Sequence, residues 1–227
     1  MRSVLATGKR VIVGYADWEV ERPPVESFPV SYVSQASPFG YSREMNRLIR
    51  GARPNDVILL NDDAVLQTSG GFDELEKLAR ENPEYGVLSA AVTGVVKKDQ
   101  RPQDSFLTGE FRNPIRPSAD RSLSFICVYI RREILERLGG LDERFIPGTY
   151  GFQDNDYCER VVRGGWKLGI VDSVVVEHGN LVSSYRSQPD LGNQLLAARG
   201  IFSEIWGEEV ANLHWNIPES IEAAKDK

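Results

Sequence analysis

Residues 57–66 read Val-Ile-Leu-Leu-Asn61-Asp62-Asp63-Ala-Val-Leu, so two adjacent carboxylates are set between two apolar runs. The run before them is what a buried strand looks like. A buried strand does not tolerate unpaired carboxylates within it, so the acids belong at its C-terminal mouth, where open α/β sheets place their ligands. Two carboxylates there suit a hard divalent cation such as Mg2+ or Mn2+ and, through it, a phosphate. Asn-Asp pairs also supply ordinary polar turns after strands, and the segment alone leaves both readings open.

A second acidic group lies about ninety positions later, in Gln153-Asp154-Asn155-Asp156-Tyr-Cys-Glu-Arg160. Asp154 and Asp156 flank the expected start of a helix, where the dipole favours negative charge and where Asp154 alternatively serves as an N-cap. A carboxylate held at such a position stays ionised and can act as a general base. The glycines at Gly148 and Gly151 just before it give the chain freedom to close over a ligand. His178 follows the β-branched run Val174-Val175-Val176. It is either a structural residue at a strand end or a nitrogen ligand for an Mn2+-like ion.

The 227 residues suit one domain, with or without a small appendage, and 41% hydrophobic content provides a core. A net charge of −6 argues against nucleic-acid binding as the main task. Cys127 and Cys158 are far apart and form no CxxC, so buried free thiols in a reducing compartment are expected. With only two histidines a structural zinc site is not expected. Residues 1–10 lack the apolar stretch of a signal peptide and nothing approaches a membrane span, so the expected location is cytoplasmic.

The acids need elements to hold them. Strands are expected over 10–16, 29–35, 57–60, 86–92, 123–130 and 168–176. Helices are expected from Gly40 to Gly51 with Ser42 as N-cap, and over 72–81, 131–138, 154–163 and 190–206. Trp166, Trp206 and Trp215 are assigned to the core. Strands alternate with helices over the first ninety residues, which implies an α/β fold with a parallel sheet. Residues 97–122 form a long loop whose Arg101, Arg112, Arg116 and Arg121 are candidates for acceptor or diphosphate contacts, or simply a solvated basic loop.

Taken together in order and spacing, SREMNRLIRGA (42–52), LLNDDAVL (59–66), IRREILERLGGLDERF (130–145), GFQDNDYCERVVRGGWKLGIV (151–171) and VVVEHGN (174–180) resemble the family 2 glycosyltransferases of the GT-A fold. The resemblance covers roughly residues 40–206. It implies a single α/β GT-A domain over 1–216, with a mixed, mostly parallel sheet flanked by helices. Residues 1–95 would be the nucleotide-binding half, 96–216 the acceptor-binding half, and 217–227 a frayed tail. It implies a nucleotide-diphosphate sugar as donor, Mn2+ or Mg2+ as cofactor, and transfer to the hydroxyl of a glycan, lipid-linked sugar, protein or modified base, with inversion. Asp63 would ligate the metal together with His178. Asn61 and Asp62 would serve the donor ribose, and Asn46 belongs to a matching motif on the nucleotide side. Asp154 would be the base, Asp156 a supporting carboxylate or acceptor contact, and Arg160 a brace for the helix.

The chain departs from that family at three places. Asn61 stands where many members carry Asp, and Gln153 replaces the usual Glu. The usual Pro-Thr-x-Asn and Asp-x-Ser turns after the first two strands are missing, and Tyr15, Asp17 and Gln35 are assigned to the nucleobase and ribose in their place. Two other readings stand beside transfer: a degenerate homologue that binds nucleotide sugar without turnover, and a nucleotidyltransferase. The latter lacks the expected Gly-rich basic phosphate loop near the N-terminus.

Overall fold

The structure, a computed structural model, describes residues 11–15, 30–34, 40–94, 98–103, 113–145, 151–179 and 190–215. Strands β1 (Val11–Tyr15) and β2 (Val30–Ser34) pair in parallel. Helix α1 (Tyr41–Gly51) follows. Its N-cap is Gly40, in extended conformation and without a side-chain cap bond; Ser42 lies inside the first turn and is buried, so the expected Ser42 cap is corrected.

A six-stranded sheet forms the centre, with β3 (Val57–Leu60), β7 (Cys127–Ile130), β5 (Tyr85–Gly94), β8 (Lys167–His178) and β4 (Ala64–Leu66) side by side; β6 (Arg116–Pro117) also pairs with β8. Only β5 and β8 run parallel within it; β3–β7, β5–β7, β4–β8 and β6–β8 are antiparallel. The expectation of a mostly parallel sheet is therefore wrong. A parallel neighbour needs a crossover, usually a helix. Among the described residues no α-helix separates β5 from β7, and β7 runs antiparallel between β3 and β5. The other antiparallel strands are only three and two residues long, too short to leave a pattern in the sequence.

Alternation along the strands builds two cores. Val87 and Ala91 of β5, with Val128 and Ile130 of β7, pack with Ile49 of α1, Ile134 and Leu135 of α3 (Arg132–Leu138), and Tyr157, Cys158 and Val161 of α4 (Gln153–Arg163). Leu88, Ala90 and Val92, with Cys127 and Tyr129, pack with Phe72, Leu75 and Leu78 of α2 (Gly71–Glu81). The sheet is thus covered on both faces. A third, smaller cluster joins Phe145 and Phe152 to α5 (Leu191–Trp206) and α6 (Glu208–Leu213), the latter a helix not foreseen from sequence. Trp206 and Trp215 pack against this cluster and Trp166 against the first core, all three only partly buried. Both cysteines are free and buried, and burial pushes the Cys127 thiol up to about 12.

Strand β8 is broken in register. Its residue Val171 pairs with Ala90 of β5, but the next β5 residue, Ala91, pairs with Val175, so Asp172, Ser173 and Val174 bulge out. Before the bulge β8 takes β6 as its other neighbour, and after it β4.

Helices α1, α3 and α4 are joined at one point. Asn46 donates from Nδ2 to the Leu141 carbonyl (2.8 Å) and to Glu143 Oε1 (2.8 Å), and accepts the Leu141 N–H at Oδ1 (2.8 Å). Arg160 donates to the Leu138 and Gly140 carbonyls at 3.0 and 2.8 Å. Gly140 must stay small, because a Cβ there would lie 2.1 Å from Asn46 Oδ1. Gly140→Ala is expected to cost about 1–3 kcal/mol in urea unfolding. Gly200→Ala, at an exposed position of α5 with open space around it, should instead stabilise by about 0.5–1 kcal/mol.

Candidate active site at the strand ends

The Asn61–Asp63 segment is a tight turn at the C-terminal end of β3. The Asn61 N–H extends the β3–β7 ladder to the Ile126 carbonyl (2.9 Å), and the Ala64 N–H closes the turn on the Asn61 carbonyl (3.2 Å). The backbone of the turn is then fastened to β8, since Ala64 lies opposite His178 in the ladder and the Asp63 carbonyl accepts the Gly179 N–H (3.0 Å). Two residues separated by more than a hundred positions are thereby brought side by side, with Asp63 Oδ1 3.2 Å from His178 Nε2. Both side chains are mostly buried, at 22% and 13% exposure. The approach is close enough to require glycine on both flanks. A Cβ on Gly94, whose φ is +88°, would lie 2.3 Å from the His178 carbonyl oxygen, and one on Gly179 would lie 3.0 Å from Asp63 Oδ2. Asp62 faces solvent and Asn61 is half-buried.

The donor set suits a hard-to-borderline divalent ion, with one carboxylate oxygen and one imidazole nitrogen. Two neighbouring ligands of a six-coordinate ion at about 2.2 Å would lie about 3.1 Å apart, close to the separation between Asp63 and His178. Among the described residues no group of three or more His, Cys, Asp or Glu converges anywhere. A cation held here would therefore have only two side-chain ligands from those residues, the pattern seen where substrate phosphates complete the shell.

Asp154 is carried by the first turn of α4. Helix α4 ends at the Gly164-Gly165 turn and feeds directly into β8, and its Tyr157, Cys158 and Val161 pack with Leu168, Ile170 and Val175. The short connection sets the helix antiparallel to the strand it precedes. Helix α1 stands to β3 in the same way, and its first residue, Tyr41, feels the charge of Asp154. Burial first, and the Asp154 carboxylate second, raise the Tyr41 phenol well above its ordinary range. Asp154 is partly exposed and accepts the Asn155 N–H at Oδ1 (2.9 Å). It is not the N-cap; that position is Phe152, in left-handed conformation (φ +68°). An aromatic residue at the start of a helix reads as core, and nothing in the spacing of Tyr41 signals a link to Asp154.

Two expected site residues have other partners. Asp156 is 1% exposed, with Oδ2 bound by Arg160 Nε (3.0 Å) and Oδ1 by Trp206 Nε1 (2.9 Å). It braces α4 against α3 and α5, and Arg160 has the bracing role expected of it. Burial lifts the Asp156 carboxyl; Arg160 and Trp206 pull it back without cancelling the rise. Asn46 has both amide protons and its carbonyl oxygen bonded within the protein, so it holds the 141–143 segment where a nucleotide contact was expected.

Asp17, Gln35 and Arg112, the Gly148 stretch and the tail from 217 lie outside the described residues, as does the side chain of Tyr15. Of the remaining loop arginines, Arg116 points inward. It donates to Asp172 Oδ2 and Oδ1 (both 3.0 Å) and to Asp99 Oδ1 (3.1 Å). Arg121 pairs with Glu159 at 3.5 Å.

Asp156→Ala leaves the Arg160 guanidinium without its carboxylate and is expected to cost roughly 3–5 kcal/mol in denaturant unfolding. Asp62→Ala should stay within about 0.5 kcal/mol; equal losses for the two would contradict these placements.

No protein-family model matches the chain, and no curated protein sequence matches it. Solved structures do. One neighbour is GalNAc-T7 with UDP, GalNAc and Mn2+, at TM-score 0.56 and 12% identity, covering 80% of this chain and 37% of that one. Another is the mannosyltransferase PcManGT from Pyrobaculum calidifontis in complex with GDP-Man and Mn2+, at TM-score 0.54 and 16% identity, covering 82% of this chain and 51% of that one. The chain thus spans between about a third and a half of these neighbours' length, and what it has in common with them is the fold, a mixed sheet flanked by helices.

Proposed function

We propose that the protein is a glycosyltransferase that moves a sugar from a nucleotide-diphosphate donor to an acceptor hydroxyl, in the manner of family 2 enzymes and with inversion. The observation that supports this most is the Asp63–His178 pair at the ends of β3 and β8. Its ligand types fit Mn2+, the ion bound in both structural neighbours, and Mg2+ is the alternative. A cation bound there would neutralise charge on the departing diphosphate.

The chain's own residues supply the remainder. Asp154 takes the proton of the acceptor hydroxyl as its oxygen bonds to the anomeric carbon and the bond from that carbon to the diphosphate breaks. Attack from the face opposite the leaving group inverts the centre. Asn61 and Asp62 are assigned to the donor ribose, and Tyr15, Asp17 and Gln35 to the base and ribose. Asp156 and Asn46 keep the acid-bearing segments in place.

A second reading, a nucleotide-sugar-binding protein without turnover, is favoured by Asn61 and Gln153 at positions where family members carry acids. A panel of UDP- and GDP-sugars with Mn2+, scored for donor hydrolysis, separates the two readings: binding without hydrolysis or transfer selects the second. Under the first, UDP or GDP raises the melting temperature only when Mn2+ or Mg2+ is present, and Asp63→Ala abolishes that shift. Asp154→Asn lowers hydrolysis by about 10²–10⁴-fold while leaving the shift intact. A metal-dependent shift that survives Asp63→Ala rules out the ligand assignment.

A further inference from the structure

The first turn of α4 is gripped on almost every side but one. Phe152, just before it, packs on Phe202 (ring centroids 5.1 Å apart) and stacks on Trp215 (6.1 Å, planes 20° apart). Asp156 is bound by Trp206. Asn155 and Glu159 are both bound by one residue, His214. Its Nδ1 lies 3.0 Å from Asn155 Nδ2, and its Nε2 lies 2.9 Å from Glu159 Oε1. His214 and Glu159 are each 3% exposed, and Phe202 meets the His214 ring edge-on at 5.4 Å. All the gripping residues belong to α5, α6 or the residues just after α6. Asp154, in the middle of the gripped turn, has none of them as a partner.

We infer that His214 is a positioning residue for Asp154. The C-terminal α5–α6 hairpin, through the Asn155–His214–Glu159 chain, fixes the roll of the first turn of α4 and so aims the Asp154 carboxylate toward Tyr41 and the strand ends. It is the amide nitrogen of Asn155 that faces Nδ1, and this nitrogen can only donate, so the His214 ring proton resides on Nε2 and is given to Glu159. Glu159 is held in turn by Arg163 (3.3 Å) and Arg121 (3.5 Å). The aim of a base matters at a scale below an ångström, and a polar link through two atoms of one ring fixes rotation in a way that apolar packing alone does not.

The inference rests on Asp154 being the base, and its test keeps the two apart. The protein contains two histidines, so 15N NMR of the His178→Asn variant reports His214 alone. A single Nε2–H resonance, protected from exchange, is expected. An Nδ1–H tautomer, or rapid exchange, overturns the proposed link whether or not the protein turns over. His214→Phe keeps the ring contact and removes both polar bonds. It should raise amide exchange across 152–156, leave the Mn2+-dependent melting shift with UDP or GDP within twofold of the same nucleotide concentration, and lower kcat for donor hydrolysis at least tenfold with KM little changed. His214→Gln, which can donate to Glu159, should recover part of that kcat. Leu213→Ala, 70% exposed on the same helix, is the control and should change none of these. Unaltered kcat and exchange in His214→Phe overturn the inference. If His214→Phe does not fold, loss of kcat in His214→Gln with intact melting carries the test, and unchanged kcat there counts against it. Absence of hydrolysis in the unsubstituted protein refutes the transferase reading, and the NMR and exchange results then still decide the link.

Discussion

Strand β8 serves two neighbours on one side while keeping β5 on the other, and the rest of the site depends on how that mismatch is absorbed. Three residues leave the ladder between Val171 and Val175. One of them, Asp172, is 5% exposed, and a carboxylate so placed is costly unless paired. Arg116 meets both its oxygens. The Val175 N–H, leaving the bulge, donates to Thr68 Oγ1 (2.9 Å), and its carbonyl accepts the Gln67 N–H (2.9 Å). Only after these substitutes have satisfied the backbone can β4 join the ladder and His178 arrive opposite Ala64, beside Asp63. A bulge next to a site, re-aiming a side chain, is a recurrent device, and here the ion pair that permits it lies on the sheet half away from the strand ends.

The acids of this chain divide by environment. Among the described residues each buried one has a cation or imidazole against it: Glu44 has Arg43 and Arg47, Asp156 has Arg160, Asp172 has Arg116, and Glu159 has Arg163 and His214. These pairs secure helices and strands, and removing one partner would strand the other charge. Asp154 differs: it is partly exposed and has no such cation among the described residues. Asp63 has only an imidazole, which is itself a metal ligand type. Burial and pairing thus mark the carboxylates that hold the structure, a distinction that residue type and spacing do not make.

That is also why the sequence could be read in part. The strand 57–60 and its terminal acids, the helix before Gly164-Gly165 and the run ending at His178 were legible because each is a long local pattern closed by strong punctuation. The strand direction within the sheet was not, since it depends on β7 inserting antiparallel between β3 and β5 and on β4 and β6, which are too short to have a period. Nor were the tasks of Asn46 and Asp156. Both sit in motifs that suggest ligand contact, and both turn inward because the partners that occupy them, Leu141, Glu143 and Trp206, lie 50 to 97 residues away. The pairing of Asp63 with His178 was within reach of sequence reasoning, as each had been marked for the same ion. The influence of Asp154 on Tyr41 was not, because an aromatic residue at the start of a helix reads as core.

Strand β4 is the last in the order of the sheet, and it is only three residues long. An outer strand normally presents a row of unmatched N–H and C=O groups that can recruit a strand from another molecule. Here that row is cut short on one side by the turn bearing the acids and on the other by the link of Gln67 to β8. Val65 is the exposed apolar residue on it. The brevity that lets Asp63 reach His178 therefore also denies a foreign chain the length it would need to dock, and this edge of the sheet is protected from strand-to-strand aggregation by the same few residues that bring the pair together.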